Sequence, residues 1–399
     1  MTWAVLGAGY TGIAVAAALL ETGISVDILD RRPVPGGLWV DGVYEDVRLI
    51  TSRKVTGFPG RPMPDGPTFP TGQELLAYLQ QVARDTGVTK RLRQREVRSV
   101  TRSGFGWDVD GTLYDGVVVA TGLFTRPRIP SVPGDLTIPT LHTADYRRVE
   151  QLGQDVLVVG LGNSGADVAQ ACVESGRRVS LAVGRARHVV PRRVLGRPVT
   201  ELRRPGLLPD LVLRLGLDAT VRLTSAYWRR GRIGEPQHLM LAETPVVHSA
   251  LLPLVQKGSV RVLPAATRLD GTSVHFADGS SAEFDTVVWA TGYDHELPVS
   301  RALIDGSAAD GPPSLVGGVW SPVSPGLAVV GLREPRNGRG RYLAAVADLV
   351  VAGALAQERT DAPVGSLLSD VTGPDRRTVI DDGSELSRLR TLTRAAHRL

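Results

Sequence analysis

Apolar residues in this chain fall into short blocks, each closed by a glycine or a charged residue, with helical periodicity between the blocks. Thr2–Leu6 (TWAVL) reads as a strand that breaks into GAGYTG. An Ala-rich helical stretch, Ile13–Thr22, follows and is closed by Gly23. A second strand, Ser25–Leu29, ends in Asp30. Strand, glycine turn, helix, strand is a βαβ unit, which requires a right-handed crossover and a parallel sheet. Pro33–Pro70 carries neither period, and irregular stretches of that length inside a domain are usually functional. Thr71 is placed to cap an amphipathic helix over Gln73–Asp85, with Leu75, Leu76, Leu79 and Val82 on one face. Trp107–Val109 and Gly116–Ala120 read as strands, the second running into Ala120-Thr121-Gly122.

The pattern then restarts. Val156–Val159 is an apolar strand, GLGNSG its turn, Ala166–Glu174 a helix and Arg178–Val183 the next strand. A repeat displaced by about 150 residues marks a second nucleotide-type domain and not a solenoid period. Pro191–Glu235 is rich in Arg and Leu with helical pieces, and Ser259–Leu263 is a strand. Val274–Phe284 reads as a hairpin around Asp278-Gly279. Asp285–Tyr293 is a second strand ending in Ala-Thr-Gly (Ala290, Thr291, Gly292). Gly326–Gly331 reads as a buried strand, Tyr342–Ala356 as a helix, and the charged, Leu-containing remainder as a terminal helix or a contact surface. The fold class expected is α/β, with two Rossmann-like dinucleotide-binding domains.

Composition narrows the chemistry. One cysteine, Cys172, excludes a disulfide framework, a CxxC redox pair and a cysteine zinc site. The seven histidines are dispersed, so no metal centre is expected. The formal charge is +5, and Lys54, Lys90 and Lys257 are the three lysines, so arginine supplies nearly all the cations. They are spread along the chain among acids, which reads as a solvated surface and not a nucleic-acid groove. No apolar run reaches the ~18–20 residues of a spanning helix. The N-terminus opens on a strand without a basic stretch, unlike a signal peptide. A cytoplasmic protein without an integral membrane segment is expected.

Gly7, Gly9 and Gly12 between strand and helix suit a tight turn, close approach of backbone to a pyrophosphate, and helix–strand packing. Asp30, at the end of the next strand, can accept hydrogen bonds from a ribose diol. Gly160, Gly162 and Gly165 repeat the motif, but the tract after the following strand is GRARH, with Arg185 and Arg187. Cations there suit a 2′-phosphate, so NADPH is the expected coenzyme. Two dinucleotide sites in one chain imply electron transfer between cofactors, the protein supplying orientation and electrostatics.

Several motifs in order resemble the flavin-containing monooxygenases: GAGYTG with Asp30, GGLW (Gly36–Trp39), LITSRK (Leu49–Lys54), VVVATG (Val117–Gly122), HTADY (His142–Tyr146), GLGNSGAD (Gly160–Asp167) and WATGY (Trp289–Tyr293). The resemblance spans residues 2 to 355 and is specific as an ensemble. It implies an NADPH domain inserted into an FAD domain, with boundaries at 1–150, 151–284, 285–360 and a tail over 361–399. It assigns FAD to Gly7, Gly9, Gly12, Asp30, Gly37, Leu38 and Trp39, and NADPH to Gly160, Gly162, Asn163, Ser164, Gly165 and Arg185. Further candidate cofactor contacts are Tyr10, Thr11, Arg31, Thr51, Ser52, Val97, Ala120, Thr121, Gly122, Arg187, Ala290, Thr291 and Gly292.

Two motifs depart from the family pattern. Its identifying motif is Phe-x-Gly-x-x-x-His-x-x-x-Tyr/Phe; His142 and Tyr146 match, while Leu136 and Ile138 stand at the Phe and Gly positions. Tyr146 in place of Trp leans away from Baeyer–Villiger enzymes. Thr51 stands where many members place an Asn beside the flavin, and it is the candidate catalytic residue. The resemblance implies that NADPH reduces FAD and that a C4a-(hydro)peroxyflavin passes one oxygen to an amine nitrogen or a sulfide sulfur of a small molecule. Alternatives are an NADPH oxidase releasing H2O2, a Baeyer–Villiger monooxygenase and a non-catalytic nucleotide-sensing scaffold. The expected partners are a small-molecule substrate and O2, with a homodimer left open.

Overall fold

The computed structural model describes residues 1–399 except 105, 195, 202–235, 237–242, 309–310, 336–337, 378 and 381. The helical pieces expected over Pro191–Glu235 therefore lie largely outside the described residues. The chain divides into two compact units. Unit 1 is Met1–Gly42, Thr51–Arg126 and Asp294–Leu399; unit 2 is Val43–Ile50 and Pro127–Tyr293.

In unit 1, β1 (Thr2–Leu6), α1 (Tyr10–Glu21) and β2 (Ser25–Asp30) form the first βαβ step. The helix α2 (Gly72–Asp85) and the strand β3 (Leu92–Gln94) follow. An antiparallel meander comes next, β4 (Val100–Ser103), β5 (Gly106–Val109) and β6 (Thr112–Tyr114), before β7 (Gly116–Val119). The parallel sheet has the order Leu327–Val329, β7, β1, β2, β3, with Val5 opposite Ile28 on one side and Val118 on the other. Ala4 and Leu6 pack with Trp107, Val117, Val119 and Val329. Their alternates Trp3 and Val5 are equally inaccessible, so both faces are covered, as a parallel sheet requires.

Unit 2 repeats this order. β8 (Asp155–Val159), α3 (Asn163–Glu174) and β9 (Arg178–Ala182) lead to β10 (Val260–Leu263). A meander of β11 (Ala266–Gly271), β12 (Ser273–Phe276) and β13 (Ser281–Glu283) precedes β14 (Thr286–Trp289). The sheet order is Thr140–His142, β14, β8, β9, β10, all parallel. Val156 and Val158 pack with Val168 and Cys172, while Leu157 packs with Phe276, Phe284 and Trp289. The hairpin read from Asp278-Gly279 is the β12–β13 turn, closed by the Phe276 N–H to the Ser280 carbonyl at 2.9 Å.

Local chemistry accounts for most boundaries. Thr71 caps α2 in a reciprocal box: its hydroxyl accepts from the Glu74 N–H at 3.1 Å, and Glu74 accepts from the Thr71 N–H at 2.8 Å. Both glycine-turn helices begin three residues earlier than apolar periodicity suggests, at Tyr10 and Asn163. Gly9 and Gly162 are extended and take the N-cap position without a side-chain cap, which leaves the first-turn N–H groups open to a ligand. The remainder after Ala356 ends in the helix Asp382–Ala396, with Leu389 and Leu392 buried. The helix brings Glu385 to the buried Arg333 guanidinium, which Asp375 also receives.

Candidate functional sites

The three glycines of the first turn have separate jobs. A Cβ on Gly7, whose φ is +106°, would lie 2.6 Å from the Ala120 carbonyl oxygen, and one on Gly12 would drive into the Gly7 carbonyl. On Gly9 it would meet, among the described residues, only the Gly37 Cα at 3.7 Å. The first and third glycines are therefore wedged against neighbouring backbone, and the second is uncrowded and leaves its backbone bare. That cradle fits a pyrophosphate at the start of α1, where uncapped N–H groups and the helix dipole favour negative charge.

The residues around this turn support it from three sides. Asp30 is buried, and its two oxygens accept the Ala8 N–H at 2.7 Å and the Arg32 N–H at 2.9 Å. Each oxygen keeps a second lone pair for a ribose hydroxyl. Gly37, Leu38 and Trp39 form a 3-10 turn against the cradle, where the Gly36 N–H donates to the Ala8 carbonyl at 2.8 Å. Ala120 walls the turn, Thr121 is exposed, and Gly122 is half-buried with φ +86°. Thr11 is buried behind Gly331, Val97 packs on the core and Arg31 is exposed. The Tyr10 side chain turns away into the core, donating to the Thr56 carbonyl beside Phe58, and burial pushes its phenol pKa up.

Thr51 sits in a hydroxyl relay. The Thr56 hydroxyl donates to the Ser52 carbonyl at 2.8 Å, and Thr51 Oγ1 lies 2.8 Å from Thr56 Oγ1. A hydroxyl has one proton, so Thr51 is the donor in this pair. It can donate to another group only after rotating away from Thr56. Ser52, at the head of the helix Arg53–Thr56, is buried.

Unit 2 reproduces the cradle. A Cβ on Gly160 would drive into the Ala290 carbonyl oxygen, one on Gly165 into the Gly160 carbonyl, and one on Gly162 would meet, among the described residues, only Arg187 Nη1 at 3.9 Å. Ala290 thus does here what Ala120 does in unit 1, which gives both Ala-Thr-Gly sequences a packing role. Asn163 accepts the Val247 N–H at 2.8 Å. Thr291 bonds its backbone carbonyl to Arg128 at 3.0 Å, and the Arg128 N–H donates to the Gly292 carbonyl.

The strand ends differ between the units. The Gly7 N–H bonds the Leu29 carbonyl and the Gly160 N–H bonds the Ala182 carbonyl, so Val183 stands at the register of Asp30. Arg185 lies two residues further on, exposed, with its Nη2 3.0 Å from Glu243 Oε2. Arg187 donates to the Thr244 carbonyl at 2.8 Å.

Several side chains escaped the sequence reading. Tyr44 donates to Asp167 at 2.5 Å, and the Ser164 hydroxyl also bonds the Tyr44 phenol; burial and the Asp167 charge hold its pKa well above the usual value. His248 Nδ1 accepts the Leu251 N–H, so its ring proton sits on Nε2, 3.3 Å from Asp167. Arg192 lies 3.6 Å from the same carboxylate. Asp167 was legible in GLGNSGAD; its partners come from distant segments that no spacing joins. His142 is buried, accepts the Ala144 N–H and meets Tyr293 edge-on at 5.0 Å; burial lowers its pKa, so it is neutral near pH 7. Cys172 is buried and its thiol pKa is pushed up to about 12 by that burial. No group of side chains suited to a metal ion and no helix long and apolar enough to cross a membrane occurs among the described residues.

A family model described as flavin-binding monooxygenase-like matches residues 2–336. Indole-3-pyruvate monooxygenase YUCCA1 of Oryza sativa subsp. japonica is 30% identical over 74% of this chain and 77% of its own length. Indole-3-pyruvate monooxygenase YUCCA6 of Arabidopsis thaliana is 31% identical over 74% and 76%. Among solved structures, a flavin monooxygenase from Stenotrophomonas maltophilia superposes with TM-score 0.66 at 22% identity, covering 88% of this chain and 98% of that one. An S-allyl-L-cysteine S-oxygenase from Allium sativum gives 0.64 at 20%, covering 99% and 88%. A cyclohexanone monooxygenase gives 0.74 at 19%, covering 99% and 97%.

Proposed function

Since this chain belongs to the flavin-binding monooxygenase-like family, whose cofactors are FAD and NADPH, we propose that unit 1 holds the FAD, unit 2 holds the NADPH, and one oxygen atom of O2 goes to a soft nucleophile, an amine nitrogen or a sulfide sulfur. Bound FAD, reduced by NADPH and reacting with O2, supplies the electrophilic oxygen, so no protein nucleophile is required.

The observation that carries the site assignment is the duplicated cradle: Gly9 and Gly162 are half-buried and uncrowded, each flanked by two glycines that are wedged in place. In unit 1 the uncapped start of α1 receives the FAD pyrophosphate and Asp30 accepts the ribose hydroxyls. Gly37, Leu38 and Trp39 cover that turn. In unit 2 the start of α3 with Asn163 and Ser164 receives the NADPH pyrophosphate, while Arg185 and Arg187 meet the 2′-phosphate. Thr51 is the hydroxyl donor proposed beside the flavin. Its bond to Thr56 supports a competing reading, in which a poorly committed donor lets the reduced oxygen escape as H2O2. The relatives' names supply a third: indole-3-pyruvate and cyclohexanone are carbonyl compounds, whereas S-allyl-L-cysteine is a sulfide.

The deciding experiment adds NADPH to the flavin-loaded protein without oxygen, then admits air with an amine, a sulfide or a ketone present. Loss of the flavin absorbance followed by oxygenated amine or sulfide supports the proposal. Near-stoichiometric H2O2 with every substrate supports the oxidase, ester formation from the ketone supports the carbonyl reading, and unchanged flavin absorbance overturns all three.

A further inference from the structure

The carboxylate that β2 carries at its end in unit 1 has no counterpart at the end of β9, where Val183 stands. A carboxylate nevertheless reaches this edge of unit 2 from elsewhere. Glu243 leads into Val246–Val247, which pairs with Val189–Val190 in parallel, and this docking brings its side chain to the two arginines. Glu243 Oε2 lies 3.0 Å from Arg185 Nη2 and 4.0 Å from Arg187 Nε. Among the described residues its other oxygen, Oε1, is buried and accepts no hydrogen bond, and Arg187 Nε, though within ion-pair range of Oε2, is likewise buried and donates none. Arg187 in turn lies 3.9 Å from where a Gly162 side chain would begin, beside the open cradle. An acceptor without a donor, next to a cation beside a phosphate cradle, is a half-made site.

We propose that Glu243 sets the coenzyme preference of unit 2: its Oε1 accepts the 2′-hydroxyl of an adenosine ribose that carries no phosphate, and its charge opposes a 2′-phosphate, so the chain takes NADH as well as NADPH. The inference rests on the coenzyme reading of unit 2 and deepens it. Exposure assigns the roles. Arg185 is 64% exposed, and such a pair is held weakly, so Arg185 can leave Glu243 for a phosphate at little cost. Glu243 is only 16% exposed, so its charge stays where it is when the phosphate arrives. The two arginines attract that phosphate and Glu243 repels it, which leaves only modest selection. With an unphosphorylated ribose the Arg185–Glu243 pair persists, and the orphaned oxygen gains the donor it lacks.

Calorimetric titration of the full chain with 2′,5′-ADP and with ADP tests this without using the flavin. Both ligands should bind the wild type. Glu243→Gln should tighten 2′,5′-ADP by about tenfold with ADP unimproved, because a charge–charge repulsion at a partly buried site is removed. Arg185→Ala should weaken 2′,5′-ADP and spare ADP. Should the Gln variant not fold, Glu243→Asp keeps the charge, withdraws the oxygen and should weaken ADP selectively. Equal changes for both ligands in these Glu243 variants overturn the role of Glu243 while the coenzyme site stands. If neither ligand binds the folded wild type, the coenzyme reading itself fails.

Discussion

Ala8 donates its backbone N–H to the Asp30 carboxylate at 2.7 Å, tying the end of β2 to the glycine turn that leaves β1. The same carboxylate that is expected to read a ribose therefore also shapes the loop proposed to receive the phosphates. Asp30→Ala would orphan both the Ala8 and the Arg32 N–H groups, so it should cost about 2 kcal/mol of stability and remove flavin. Asp30→Asn keeps one acceptor and should fall between. Denaturant melts and the flavin-to-protein absorbance ratio check both, and full flavin retention in the Ala variant would contradict the assignment.

The glycines should separate folding from binding. Gly9→Ala meets only a 3.7 Å neighbour on an extended backbone, so stability should change by less than about 1 kcal/mol while flavin is lost. Gly12→Ala strikes the Gly7 carbonyl and should cost about 3 kcal/mol or more. Thermal melting alongside flavin content distinguishes the two. A Gly9→Ala protein that retains its flavin would remove the phosphate role of this turn.

Thr51 gives a test of coupling. Thr51→Val deletes the donor, and Thr51→Asn offers an amide that need not rotate away from Thr56. The share of NADPH consumption appearing as H2O2 should rise several-fold in the Val variant and fall in the Asn variant, in line with the cost of losing a donor to developing negative charge. Identical H2O2 yields in all three proteins would separate Thr51 from the oxygen chemistry.

Acid should loosen the segment after β14. Burial would by itself raise the Asp305 pKa, but the Arg301 guanidinium, the Ser314 N–H and the Ser307 hydroxyl outweigh it and hold the carboxyl at about 2. A depressed folded-state pKa adds stability that is present above the unfolded value near 4 and is lost as the pH falls through about 2. Arg301→Ala should raise the acid-unfolding midpoint of unit 1 by about one pH unit. An unchanged midpoint would show that this cluster does not limit acid stability.

The two glycine turns, the strands around them, the Thr71 cap and the Asp278-Gly279 hairpin were all readable because each is written within a few consecutive residues. Backbone sterics and capping act over that range, so sequence spacing and geometry coincide. The helix starts at Tyr10 and Asn163 were less legible, since apolar periodicity resumes only a turn later. The spacing from each glycine motif places Arg185 close to the counterpart of Asp30, but the sheet register puts Val183, two residues earlier, at that position.

The sequence alone determined that this is a duplicated α/β nucleotide-binding chain with a carboxylate at the end of one second strand and arginines after the other. Tertiary structure alone decided that Glu243 reaches those arginines, that Tyr44 and His248 converge on Asp167, that Thr51 donates to Thr56, and that Arg333 closes on Glu385. Most of these partners lie tens of residues apart along the chain, and even Thr51 meets Thr56 only through a helical turn that aims both hydroxyls. Side chains meet where packed backbones deliver them, and that delivery is a property of the whole fold and not of any window of sequence.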